Sequence, residues 1–166
     1  MTKEVLVEDT NNQCNCVAVY GTLKDGYHAN RKLTSVPGCT FVGRGTTVGR
    51  FLMSDCGYPM LHDIKRDTAH PELFGGDFDI PADAGRVAVE VYENPDMKVL
   101  DWYEGYPSLY TRRVVVVALE DGSTVNAWIY VGGDVHEYGR APAIVPNDGV
   151  LSWPADEDTG LLYAQR

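Results

Sequence analysis

Val17-Ala-Val-Tyr20-Gly-Thr-Leu-Lys24-Asp-Gly26 is the stretch on which the fold turns. Three apolar residues directly before Tyr20-Gly21-Thr22 predict a short buried strand, spanning residues 14 to 20, that opens into a turn. Glycine at position 21 gives the backbone torsions closed to other residues and lets a ligand come close to the main-chain N–H groups. A turn of that kind is a natural cradle for an anion. The same letters also describe a plain strand followed by an ordinary glycine turn, and spacing alone does not separate the two.

A second stretch, Leu100-Asp-Trp-Tyr103-Glu104-Gly-Tyr-Pro107, places the Glu104 carboxylate among three large aromatic rings where Gly105 and Pro107 break the chain. A glutamate in such company is partly desolvated, which raises its pKa and makes it a usable general acid or base near neutrality. The competing reading is a solvated charge at a helix end. The helix itself is expected over Asp96 to Tyr103, with Pro95 before its start and Met97, Leu100 and Tyr103 on one face.

Around these two stretches the chain reads mostly as strand. Gly85 to Tyr92 alternates Val87, Val89 and Val91 against Arg86, Ala88 and Glu90. Arg112 to Val117 and Thr124 to Val131 are β-branched runs joined by Glu120-Asp-Gly-Ser123, a strong hairpin signal. Thr40 to Thr47 and Val48 to Met53 suggest two short strands separated near Gly45 or Gly49, and Ser54 to Leu61 a turn into another. Lys24 to Leu33 is polar and either helical or loop-like, with Asn30, Arg31 and Lys32 expected at the surface. His28 there faces either a pocket mouth or solvent. Many short strands, few helices and frequent glycine turns predict an α+β fold, a compact mixed β-barrel with one or two short helices. Residues 1 to 13 read as a leader, 14 to 166 as a single domain, Asp63 to Gly76 as a surface loop, and 132 to 166 as an irregular tail.

The length of 166 residues suits one domain with a sizeable core. With 24 acidic against 14 basic residues and a net charge of −10, binding to a phosphate backbone is disfavoured, so nucleic acid is not an expected partner. The first thirteen residues lack the apolar core of a secretory signal. No stretch approaches the roughly 18 apolar residues of a membrane span. A cytoplasmic protein with no membrane partner is the expectation. Cys14, Cys16, Cys39 and Cys56 then read as free thiols. His28, His62, His70 and His136 are too scattered for a metal cluster, so no metal site is expected. Ser54, His62 and Asp63 supply a nucleophile, a base and an acid by type, but no Gly-x-Ser-x-Gly elbow surrounds the serine.

Taken together, Tyr20-Gly-Thr-Leu-Lys24, Gly57-Tyr58-Pro59, Leu100-Asp-Trp-Tyr-Glu104-Gly105 and Tyr110-Thr-Arg112 resemble the AIG2-like gamma-glutamylcyclotransferase superfamily, in particular its gamma-glutamylamine cyclotransferase branch. The likeness runs from about Val17 to Val131 in the family's order, and Gly160-Leu-Leu-Tyr163 with the final Arg166 is similar to some members. The resemblance implies a small-molecule substrate, an L-γ-glutamyl amine or amino acid. Its α-amino group attacks its own side-chain carbonyl, giving 5-oxoproline and a free amine without any cofactor. It implies Glu104 as the catalytic base and acid, and Tyr20, Gly21, Thr22, Leu23, Tyr58, Tyr110 and Arg112 as substrate-binding residues. For Arg112 a structural ion pair is an equal reading. Where the family commonly has a glycine before the glutamate of the fifth strand, this chain has Val89, which would narrow the pocket. The alternative is a non-catalytic module that uses the same pocket to bind a metabolite or dock a partner protein. The leaving amine and the oligomeric state stay open.

Overall fold

The computed structural model describes residues 14–64, 81–133 and 138–154. Among the described residues there are eight strands: β1 (Cys16–Val19), β2 (Thr40–Thr47), β3 (Leu52–Asp55), β4 (Pro59–His62), β5 (Arg86–Glu93), β6 (Tyr110–Leu119), β7 (Thr124–Gly132) and β8 (Val150–Leu151). Five of them run in the order β1-β7-β6-β2-β5, and the antiparallel pairing of β5 with β1 closes the ring into a barrel. The expected hairpin forms β6 and β7, registered from Tyr110 against Gly132 to Ala118 against Thr124. β3 and β4 make a separate hairpin, and β8 adds in parallel to the start of β5. The α+β barrel with short helices read from the sequence is the fold observed.

Period-two alternation explains the layering. Ala18 of β1, Val87, Val89 and Val91 of β5, Val115 and Val117 of β6, and Ala127 and Ile129 of β7 are buried together inside the barrel. Phe51, Met53, Leu61 and Trp153 pack against them. The opposite faces of the same strands, with Val17, Val19, Tyr92 and Tyr130, form a second apolar cluster with Leu33 and Leu100. Because β1 is covered on both faces, all four of its residues are buried.

Those covers are the helices. A 3-10 turn (His28–Asn30) runs into α1 (Arg31–Thr34), and α2 (Met97–Glu104) lies between β5 and β6. Asp96 caps α2, its carboxylate accepting from the N–H groups of Lys98 and Val99. Leu100 is the helix's buried residue, with Met97 and Tyr103 packed beside it. Gly105 ends the helix in the left-handed region at φ 66°. Among the described residues no helix is long and apolar enough to cross a membrane.

Of the two break positions expected from sequence, the one near Gly49 is observed, and β2 runs straight through Gly45 to Thr47. Other expectations change. Asn30 is buried, not exposed, because its side chain bonds to Leu23 and Tyr92. Glu90 is buried as well, since the segment after β1 folds over the outer face of β5. Val89 points into the barrel interior and does not line the Glu104 cavity, so it does not narrow that cavity. The leader at 1–13, most of the surface loop, His70, His136 and the tail from 155, with Gly160 to Tyr163 and Arg166, lie outside the described residues.

Candidate active site

The strand β1 delivers the chain to Tyr20, and a turn closed by the Lys24 N–H on the Gly21 carbonyl follows at once (3.1 Å). Gly21 is needed there for space. A Cβ at this position would stand 2.7 Å from Cγ of Pro59. The glycine is not among those with positive φ, so the close approach of β4, rather than torsional freedom, accounts for it.

The turn is braced from below by a chain of side-chain hydrogen bonds. Asn30 Nδ2 donates to the Leu23 carbonyl at 2.7 Å and to the Tyr92 hydroxyl at 3.0 Å. The Tyr92 hydroxyl in turn donates to Glu90 Oε1 at 3.1 Å, and that oxygen also accepts from the Asp25 N–H at 2.8 Å. Arg44 sits 3.5 Å from the other oxygen of Glu90. The turn's own bonds leave the N–H groups of Gly21, Thr22 and Leu23 without an acceptor among the described residues. Unpaired main-chain donors beside a cavity favour a ligand that brings oxygen atoms.

The helix α2 brings Glu104 to the same place from the other side. Asp101, one turn earlier, accepts from Arg112 Nε at 2.8 Å, Arg112 Nη2 at 3.1 Å and the Tyr130 hydroxyl at 2.7 Å. This triple contact locks the helix onto β6 and β7, and the rings of Trp128 and Tyr106 lie against the guanidinium. Thr22 Oγ1 and the Tyr103 hydroxyl share a hydrogen bond of 2.9 Å, tying the turn to the helix.

Between them lies a cavity of about 450 Å³, within the usual range for small-molecule sites. Tyr20, Gly21, Thr22, Leu23, Tyr58, Glu104 and Tyr110 all line it. Arg112 does not, since its guanidinium is committed to Asp101. Two further walls, Tyr103 and Tyr130, were not singled out as site residues from sequence. For Tyr130 the available signal was a phenol alternating into an otherwise apolar strand. The rings are fixed by their hydroxyls: Tyr20 donates to the Tyr130 carbonyl and Tyr110 to the Pro59 carbonyl, both at 2.7 Å.

The Glu104 carboxyl makes no hydrogen bond or ion pair with any described residue. It keeps some accessible surface through the cavity while protein surrounds it on the other sides, and this burial pushes its pKa from 4.5 up to about 8. Burial first, and then the Glu104 charge, holds the Tyr20 phenol well above its ordinary range. Tyr110 and Tyr130 are raised too, chiefly by burial. The phenols therefore stay neutral donors, and the titrating group of the cavity floor is Glu104.

Ser54 and His62 also meet, with Oγ 2.8 Å from Nε2, but both are buried away from the cavity. Asp63 bonds instead to Arg113 at the surface, so the three do not form a triad. Among the described residues no group of three or more His, Cys, Asp or Glu is placed to hold a metal.

Residues 17–148 match the family described as gamma-glutamyl cyclotransferase, AIG2-like. A Drosophila melanogaster protein provisionally named a gamma-glutamylcyclotransferase is 29% identical over 119 residues, covering 69% of this chain and 68% of that one. A protein of Methanocaldococcus jannaschii with the same provisional name is 25% identical over 116 residues, covering 69% of this chain and 81% of its own length. The crystal structure of an AIG2-like protein from Mus musculus superposes with a TM-score of 0.52 at 22% identity, covering 86% of this chain and 97% of that chain. That likeness supports the fold.

Proposed function

Since the chain belongs to the gamma-glutamyl cyclotransferase, AIG2-like family, we propose that it converts an L-γ-glutamyl amine or amino acid into 5-oxoproline and a free amine. The observation that carries this reading is the half-buried Glu104 carboxyl, which lies in one cavity with the N–H groups of Gly21, Thr22 and Leu23, all of them without a hydrogen-bond partner among the described residues.

The nucleophile and the electrophile belong to one molecule, so the protein supplies orientation and proton transfer. Holding the α-nitrogen against the γ-carbonyl removes on the order of 7 kcal/mol of barrier by the effective-molarity argument. The α-ammonium enters beside Glu104, and its positive charge favours the carboxylate that burial disfavours. Glu104 takes one proton, the freed amine attacks the γ-carbonyl carbon, and a five-membered ring forms with its oxygen bearing negative charge. Main-chain N–H groups of the turn stabilise that oxygen or the substrate's α-carboxylate, being fixed beforehand. Glu104 then protonates the departing nitrogen, the carbon–nitrogen bond breaks, and a second proton follows from the ring nitrogen by the same carboxyl. Two protons cross from attacking to leaving nitrogen, and Glu104 ends as it began.

The test is release of 5-oxoproline from γ-glutamyl-ε-lysine, γ-glutamylalanine, glutathione and γ-glutamyl amines, with Glu104→Gln beside the wild type. The expected result is release by the wild type and a loss on the order of 10²–10⁴-fold in the variant. Equal rates for both proteins, or no release by a folded wild type, would defeat the proposal.

A further inference from the structure

The described residues at the mouth of the Glu104 cavity include two cationic side chains. Arg31 and Lys32 line it beside His28, and among the described residues that line the cavity Glu104 is the one carboxylate. In a chain with 24 acidic and 14 basic residues, such a cluster is the reverse of the average surface. The floor is made by buried groups, Tyr20, Leu23, Tyr110 and Tyr130, whereas His28 and Arg31 are exposed. Among the described residues neither Arg31 nor Lys32 forms an ion pair. The Lys32 ammonium lies instead over the ring of Tyr103 at 5.0 Å, beside the wall that α2 contributes.

With the glutamyl group at the floor against Glu104 and the turn, the rest of the substrate extends toward that cationic mouth. The glutamyl carboxylate has the main-chain donors to meet it, so the cations are left for a second negative group. We infer that Arg31 and Lys32 are the specificity-determining residues of this cavity, selecting γ-glutamyl amines whose leaving amine carries a carboxylate or phosphate over neutral ones. This assignment rests on the cyclotransferase reading. A charge at the mouth also draws anionic substrates in from solution, an effect that salt screens.

The experiment compares kcat/KM for γ-glutamylethylamide, γ-glutamylalanine and γ-glutamyl-O-phosphoethanolamine, which differ chiefly in the anion. The wild type should favour an anionic substrate by roughly tenfold or more, with high salt shrinking the difference, and the better of the two anionic arms identifies carboxylate or phosphate. In Arg31→Ala/Lys32→Ala the ratio should collapse toward one, and Arg31→Lys should retain most of it. Equal turnover of charged and neutral substrates by the wild type, or a ratio that survives the double substitution, overturns the assignment and leaves the cyclotransferase reading standing. No 5-oxoproline from any compound defeats that reading instead. Calorimetric binding of the same three compounds then decides the mouth separately: tighter binding of the anionic ones, lost in the double variant, upholds it, and equal binding removes it.

Discussion

The hydroxyls of Thr22 and Tyr103 share a hydrogen bond of 2.9 Å although 81 residues separate them in the chain. One belongs to the turn whose N–H groups find no acceptor among the described residues, the other to the helix that ends at Glu104. The bond therefore sets the distance between the two halves of the candidate site. Tyr103→Phe and Thr22→Val should each lower kcat/KM roughly fivefold to tenfold, about 1 kcal/mol. The double variant should be no worse than either single one, because both remove the same contact. Fully additive losses in that cycle would show that the two hydroxyls act separately.

Gly21 faces the ring of Pro59 too closely for any side chain. Pro59 cannot simply retreat, since its carbonyl holds the Tyr110 hydroxyl and its strand is paired to β3. Gly21→Ala should destabilise the fold by about 1–3 kcal/mol, read as a lower midpoint in urea. Adding Pro59→Ala should return part of that loss by reopening the space. If the single substitution leaves the midpoint in place, the contact is softer than its geometry implies.

Much of this arrangement was legible in the chain because the barrel depends on local signals. Alternating valines marked β5, the Asp-Gly pair marked the β6–β7 hairpin, and the strand-to-turn step at Tyr20 marked the start of the cavity. What stayed hidden depends on long-range partners. Asn30 and Glu90 look like surface residues until the segment after β1 folds over β5, when each becomes part of the brace under the turn. The reason for Gly21 stayed hidden in the same way, since nothing near it in sequence announces Pro59. Arg112 could not be assigned between pocket and ion pair without knowing that Asp101, eleven residues earlier, lies beside it.

That ion pair makes its own prediction. Arg112 reaches Asp101 through two parallel bonds, and both side chains are about four-fifths buried, at 19% and 22% exposure. Lysine cannot reproduce the planar fork. Arg112→Lys should lower stability by about 1–3 kcal/mol, with a smaller effect on KM than on the unfolding midpoint. A rise in KM with the midpoint unchanged would place Arg112 in contact with substrate after all.

Glu104 links activity to stability through pH. Its folded pKa of about 8 stands above its ordinary 4.5, so the sign is the reverse of that for a salt-bridged carboxylate. Below about pH 4.5 both folded and unfolded chains hold the proton, and its burial has no pH-dependent penalty. Between 4.5 and 8 the unfolded chain releases the proton and the folded one keeps it, so stability falls as pH rises, levelling off above 8. The full shift corresponds to at most ~5 kcal/mol. Glu104→Gln has no such group. Urea unfolding at pH 5, 6.5 and 8 should show the variant gaining on the wild type at each step, while wild-type kcat/KM climbs along an acid limb near pH 8. Parallel stability curves for the two proteins would show that the carboxyl is solvated and titrates normally, which would remove the physical basis for its role as a base near neutrality.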